Sequence, residues 1–147
     1  MTYRLLLFTL ALLTPSLLRG QSVPADFAVS MERTSCFGTC PVYSVRVDAT
    51  GRVTYVGRNH VRVSGQQTKQ ISSADVAALA AAVERIGFFE LDDRYHIPDT
   101  DLPTTFVTVT RNGRTKRIED HFGAPKGLQA FEKQIDTIAG TRQWVER

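Results

Sequence analysis

Apolar and polar residues alternate over several short stretches of the chain. From Asp26 to Arg33, Phe27, Val29 and Met31 fall on one side and Ala28, Ser30 and Glu32 on the other. A period of two predicts a half-buried strand. Tyr43, Val45 and Val47 repeat the pattern over Val42 to Asp48. Asp48-Ala49-Thr50-Gly51 is turn material, with Gly51 available for a positive φ. Arg52 to Gly57 then forms the second arm of a hairpin, with Val53 and Tyr55 inward. Val61, Val63 and the residues up to Lys69 predict a further strand, with a bulge at Ser64-Gly65. Thr105, Val107 and Val109 mark another over Thr104 to Thr110. Asn112-Gly113 behind it is the strongest hairpin signal in the chain. A two-residue loop there pairs Val109 with Lys116 and Val107 with Ile118. Thr108, Thr110, Thr115 and Arg117 fall on the opposite face, so this hairpin is expected to be covered on one side only.

The period changes twice. Val76, Leu79, Ala80, Val83 and Ile86 share one helical face, with Ser72-Ser73-Ala74-Asp75 as the start and Gly87 as the stop. Phe88, Phe89 and Leu91 follow as apolar anchors. Leu128, Phe131, Ile135 and Ile138 form the stripe of a second helix, opened by Pro125 and ended by Gly140. Trp144 and Val145 can pack back on the body. Between the two halves, Asp92 to Pro103 reads as one long irregular loop. It carries Asp92, Asp93, Asp99 and Asp101 against Arg94, and a loop of this length in a small domain is often functional. The order is β-β-β-β-α-β-β-α, with no strand–helix–strand alternation. An α+β fold is expected: a mostly antiparallel sheet of about six strands with two helices packed on one face.

The first residues sit outside this pattern. Arg4 precedes the apolar run Leu5 to Leu13, which is too short to span a membrane and has the dimensions of a signal-peptide core. Residues 1–25 are expected to be a cleaved leader, with a mature start near Asp26 and Gln21 as the alternative. Residues 26–147 are expected to form a single domain. The chain has 147 residues, 42% hydrophobic and 22% charged, values of an ordinary globular protein. Its net charge of +3 is partly a property of the leader. Without residues 1–25, which contain Arg4 and Arg19 and no acid, sixteen basic residues face fifteen acidic ones, a net +1. Nucleic-acid binding is therefore not expected from charge.

Export changes the reading of the two cysteines. Cys36 and Cys40 flank Phe37-Gly38-Thr39, and in an oxidising compartment they are expected to form a disulfide. A tight turn over Gly38 can bring their Cα atoms within the roughly 7 Å that a bridge needs. Two other readings stand beside it. A redox-active pair wants an activated thiolate at a helix N-terminus, whereas Cys40 runs into Pro41 and a strand. A soft-metal site needs a third ligand from His60, His96 or His121, none of which has a diagnostic spacing. Asp99-Thr100-Asp101 begins like a calcium loop, but Leu102-Pro103 replaces the residues that would complete it. No nucleophile-elbow, zinc-protease or P-loop motif is present, so no catalytic residue is assigned. A hydrolase built from the acidic loop with His96 or His121 requires those side chains to converge in one pocket. Basic residues gather at Arg46, Arg52, Arg58, Arg62 and Lys69, and again at Arg111, Arg114, Lys116 and Arg117. They read as a solvated sheet face or as a contact for an anionic surface or polysaccharide.

Cys36-Phe37-Gly38-Thr39-Cys40-Pro41-Val42-Tyr43, the Gly51 turn, Val53-Thr54-Tyr55, Phe88-Phe89, Tyr95 and Asp101-Leu102-Pro103-Thr104 together resemble a bacterial domain-of-unknown-function family, 6438, over essentially the whole mature chain. The resemblance implies a small exported domain and no established activity. It directs attention to Tyr43, Tyr95 and Asp101 as candidate binding residues. The expected protein is a periplasmic or extracellular monomer without cofactor or metal. It is read as a non-enzymatic module for an envelope protein or ligand, with no nucleic-acid partner and no transmembrane segment in the mature chain.

Overall fold

A computed structural model describes residues 22–98 and 101–146. Most of the expected leader, with Asp99 and Thr100 of the acidic loop, lies outside the described residues. The elements are β1 (Ala28–Arg33), β2 (Val42–Asp48), β3 (Arg52–Asn59), β4 (Gly65–Gln70), α1 (Ser73–Arg85), β5 (Arg94–Tyr95), β6 (Thr105–Arg111), β7 (Arg114–Asp120), α2 (Lys126–Ala139) and α3 (Arg142–Val145). The fold is α+β. The strands make one sheet in the order β4-β3-β2-β1-β6-β7-β5. All its pairings are antiparallel except the short one between β5 and β7.

The alternating residues do what their period predicts. Val29, Met31, Val45, Val47, Val53, Tyr55, Val107, Val109 and Ile118 are buried on one face of the sheet. Val76, Leu79 and Val83 of α1 and Leu128, Phe131 and Ile135 of α2 complete the same core. Each large apolar side chain so buried is worth about 1.5–3 kcal/mol. The hairpin register is as the Asn-Gly turn requires, with Val109 opposite Lys116 and Val107 opposite Ile118. Ser72 caps α1 by accepting the Asp75 N–H at 3.1 Å, and the Asp75 carboxylate returns to the Ser72 N–H at 3.3 Å. That is a capping box with aspartate in the glutamate position. Gly87 at φ +60° and Gly140 at φ +66° end the helices in the left-handed conformation that glycine adopts without strain.

Two local expectations are revised. The fourth strand starts only at Gly65, and the irregularity of the sheet lies at Val42/Tyr43 instead of Ser64-Gly65. The reason is where the backbone groups go. Arg62 and Val63 donate their N–H groups to the carbonyls of Val145 and Trp144 at 3.3 and 2.9 Å, leaving the ladder for the tail. Gly57 permits this, because a Cβ there would stand 2.2 Å from the Val63 carbonyl oxygen. Trp144 of α3 then stacks on Tyr55, with ring centroids 4.9 Å apart. The second revision is β5, a two-residue strand inside the acidic loop. It is too short to leave a periodic signal and is held by its parallel pairing with β7.

Candidate binding site at the disulfide end of the sheet

The inward stripes of the strands end in polar residues at one level. Val29 and Met31 are followed by Arg33, Val45 is preceded by Tyr43, Val107 by Thr105, and Ile118 is followed by Asp120. Strand pairing lines these up as Tyr43–Arg33–Thr105–Asp120, with Tyr95 of β5 beside Asp120. Helix α2 supplies two carboxyls above this row. Glu132 and Asp136 are four residues apart, so they project from one side of the helix.

Asp136 gathers the left half of the row. Its Oδ1 accepts from the Tyr43 hydroxyl at 2.7 Å and from the Thr141 hydroxyl at 2.7 Å. Its Oδ2 accepts from Arg33 at 2.9 Å. Arg33 also donates to the Tyr43 oxygen at 3.0 Å and to Thr105 Oγ1 at 3.1 Å. The fork of the guanidinium is thus fixed by three different side chains. Burial, with the Asp136 charge behind it, pushes the Tyr43 phenol above its ordinary value, so Tyr43 stays a donor at any physiological pH. A cleft of about 490 Å³ opens beside this group, lined by Tyr43, Lys133, Asp136, Thr137, Thr141 and Val145 among others.

Glu132 and Asp120 make the right half. Glu132 is 6% exposed. Burial, reinforced by the Asp120 charge, pushes its carboxyl up to about 8. Burial raises Asp120 as well, but a hydrogen bond from Glu132 and one from the Ala124 N–H hold it back. At neutral pH the pair therefore shares one proton, with Glu132 as donor and Asp120 as acceptor. Glu132 Oε1 has no protein partner among the described residues. A neutral carboxylic acid beside a carboxylate is the state that general acid chemistry uses. The 490 Å³ cleft, however, is lined by other residues.

The loops over this end are tied together. Cys36 and Cys40 are bonded, their Cα atoms 5.7 Å apart. Arg33 and Tyr43 face each other across β1 and β2 on either side of that loop. The Phe37 N–H donates to the Asp101 carbonyl at 3.3 Å. Thr34 and Thr104 exchange two hydrogen bonds, of 3.0 Å to the Thr104 carbonyl and 2.9 Å to the Thr34 hydroxyl. Thr104 Oγ1 lies 2.9 Å from His121 Nδ1. His121 and Phe122 both donate their N–H groups to the Tyr95 carbonyl, at 2.9 and 3.3 Å. The Tyr95 hydroxyl accepts from the Asp92 N–H at 3.1 Å.

Tyr43, Tyr95, Asp101 and the disulfide thus lie at one end of the sheet, though only Tyr43 enters the buried network. Of the histidines, His96 and His121 lie side by side with tilted rings, centroids 4.9 Å apart, and His96 Nδ1 is 3.7 Å from Glu119 Oε1. His60 sits elsewhere, in the turn after β3 at φ +54°. Among the described residues no group of three or more His, Cys, Asp or Glu is arranged to hold a metal ion. No helix among them is long and apolar enough to cross a membrane. Arg33, Thr105, Asp120, Glu132, Asp136 and Thr141 were not singled out from the sequence.

Comparison with known families gives a match to a domain of unknown function, DUF6438, over residues 27–139. The chain belongs to the DUF6438 family. The matched segment of this DUF6438 domain runs from the start of the sheet to the end of α2, so it contains both halves of the polar row and the disulfide loop. No curated protein matches the chain.

Proposed function

We propose that the protein is an exported, non-enzymatic binding module that meets its envelope partner through the disulfide end of the sheet. In this reading residues 1–25 are removed on export and residues 26–147 act as one domain. The observation that carries it is Phe37, which is 90% exposed at the tip of a loop closed by the Cys36–Cys40 bond. A large aromatic held out by a covalent clasp and a backbone hydrogen bond has little freedom left to lose on docking. Such rigid anchors dominate binding energy at interfaces. Leu102 at 36% and Phe122 at 56% are the other exposed large hydrophobics among the described residues. The bonds joining Phe37 to Asp101, and Thr104 and Tyr95 to His121 and Phe122, bring their loops to the same end. The partner fitting this end has an apolar pocket for an aromatic side chain. The reading of Cys36 and Cys40 as a redox or metal pair has less support, because the bridge lies between two strands where nothing activates a thiolate.

The test places a photo-crosslinking phenylalanine analogue at position 37 and, as a control, at position 85, an exposed position of α1, in the exported full chain. Position 37 is expected to give one discrete envelope adduct that unlabelled protein competes away and its Phe37→Ser variant does not. Identical adducts from both positions, or no discrete adduct from position 37, would sink the proposal.

A further inference from the structure

The helices cover one face of the sheet, and the other face lies open across its strands. Pairing registers place six outward residues in one straight row: Thr68, Thr54, Arg46, Ser30, Thr108 and Arg117. Every member is a hydroxyl or a guanidinium, and none is acidic. Arg46, Arg117 and Thr68 are exposed, and the other three are half-buried. At about 4.8 Å per strand, the two arginines stand roughly 14 Å apart with small hydroxyl side chains between them. Arg46 has no close ion pair or side-chain hydrogen bond among the described residues, and its charge acts on the Asp48 carboxylate two residues away. Arg117 approaches Glu32 only at 3.7 Å and lies over the Phe106 ring, 4.1 Å from its centroid. Arg58, from the same face, is 3.6 Å from Glu32.

We infer that this open face is a docking surface for a polyanionic glycan, which lies across the strands along the row from Thr68 to Arg117. Two guanidinium groups take its carboxylate or sulfate groups in charge-assisted hydrogen bonds. The hydroxyls between them, which can donate or accept, meet the sugar hydroxyls. Single-stranded nucleic acid is a poorer fit to the same charge. It wants exposed aromatic rings on which bases stack, whereas Tyr43, Tyr55 and Trp144 are buried on the helix side and Phe106 is covered by Arg117. This surface is separate from the disulfide end, so either proposal can fail alone.

The probes are polygalacturonate and heparin, with uncharged dextran and single-stranded DNA for comparison, and binding to the full chain is followed by titration calorimetry at several salt concentrations. The row is tested with Arg46→Ser/Arg117→Ser. A charge-matched control removes Arg85 and Lys126, exposed residues of the helical side, as Arg85→Ser/Lys126→Ser. Near-ultraviolet dichroism checks that both variants keep the fold. The expected result is binding to the two anionic glycans but not to dextran, weakened at least tenfold and made less salt-dependent by the row variant, and changed less than twofold by the control. Equal losses in both variants would reduce the effect to net charge and overturn the site. So would the absence of glycan binding. Tighter binding to single-stranded DNA that depends on Arg46 and Arg117 would assign the face to nucleic acid instead.

Discussion

Glu132 ties the stability of the fold to pH. Its carboxyl titrates about 8 in the folded protein, raised first by burial and then by the Asp120 charge, against an ordinary 4.5. Between those values the unfolded chain has lost a proton that the folded one keeps. Stability is therefore fully present below about 4.5 and falls as pH rises through about 8. Each unit of such a difference corresponds to about 1.4 kcal/mol. Urea midpoints measured at pH 5.5 and pH 9 should show the wild type losing more than about 1 kcal/mol on the alkaline side. Glu132→Gln keeps the shape and a donor toward Asp120, so its curve should be flat over the same range. A wild-type curve that is flat or rises with pH would show that Glu132 and Asp120 do not share a proton in the folded protein. Of the network around Glu132 and Asp136 only Tyr43 was singled out from the sequence, yet a signal for the rest was there. Glu132 is four residues from Leu128, and Asp136 follows Ile135, so both charges stand against the apolar stripe of α2. Arg33 and Asp120 likewise continue inward-facing stripes of valine, methionine and isoleucine. Charged residues at core-phase positions mark a buried polar cluster more directly than the motifs did.

Among the elements, the hairpins, the two long helices and their caps were legible because each rests on local chemistry: period, an N-cap serine, an Asn-Gly turn. Elements that rest on distant partners were not. The Arg94–Tyr95 strand exists because β7 offers it an edge. The residues from Val61 to Ser64 leave the sheet because the tail accepts their N–H groups. The disulfide loop was legible as a bridge, but its contact with Asp101 was not. The bridge spans a small loop, so its chain-entropy contribution is only about 2 kcal/mol. Cys36→Ser/Cys40→Ser should therefore remain folded and lose about that much stability in urea. Selective faster exchange of the Phe37 and Thr34 amides, which bond to Asp101 and Thr104, should accompany it. Uniform acceleration across all strands would mean that the bridge holds the whole sheet and not its end.

At the scale of the whole molecule, Trp144 reports on the junction of tail and sheet. It is the chain's single tryptophan and it stacks on buried Tyr55. Its fluorescence and the far-ultraviolet dichroism should follow the same urea transition, as expected for one cooperative core. A fluorescence change at lower urea would show the tail opening first. The strand order also governs how the chain acquires its shape. β1 is the earliest strand among the described residues and lies in the middle of the sheet, between β2 and β6. Ala28 pairs with Thr110 and Arg33 with Thr105, residues that follow about half a chain later. During synthesis from the N-terminus, one side of β1 waits without its mate until β6 arrives. Closing so long a loop is slow, and an open central strand is an aggregation hazard while it lasts. Until β6 is made, the newborn chain therefore exposes the kind of surface that chaperones cover.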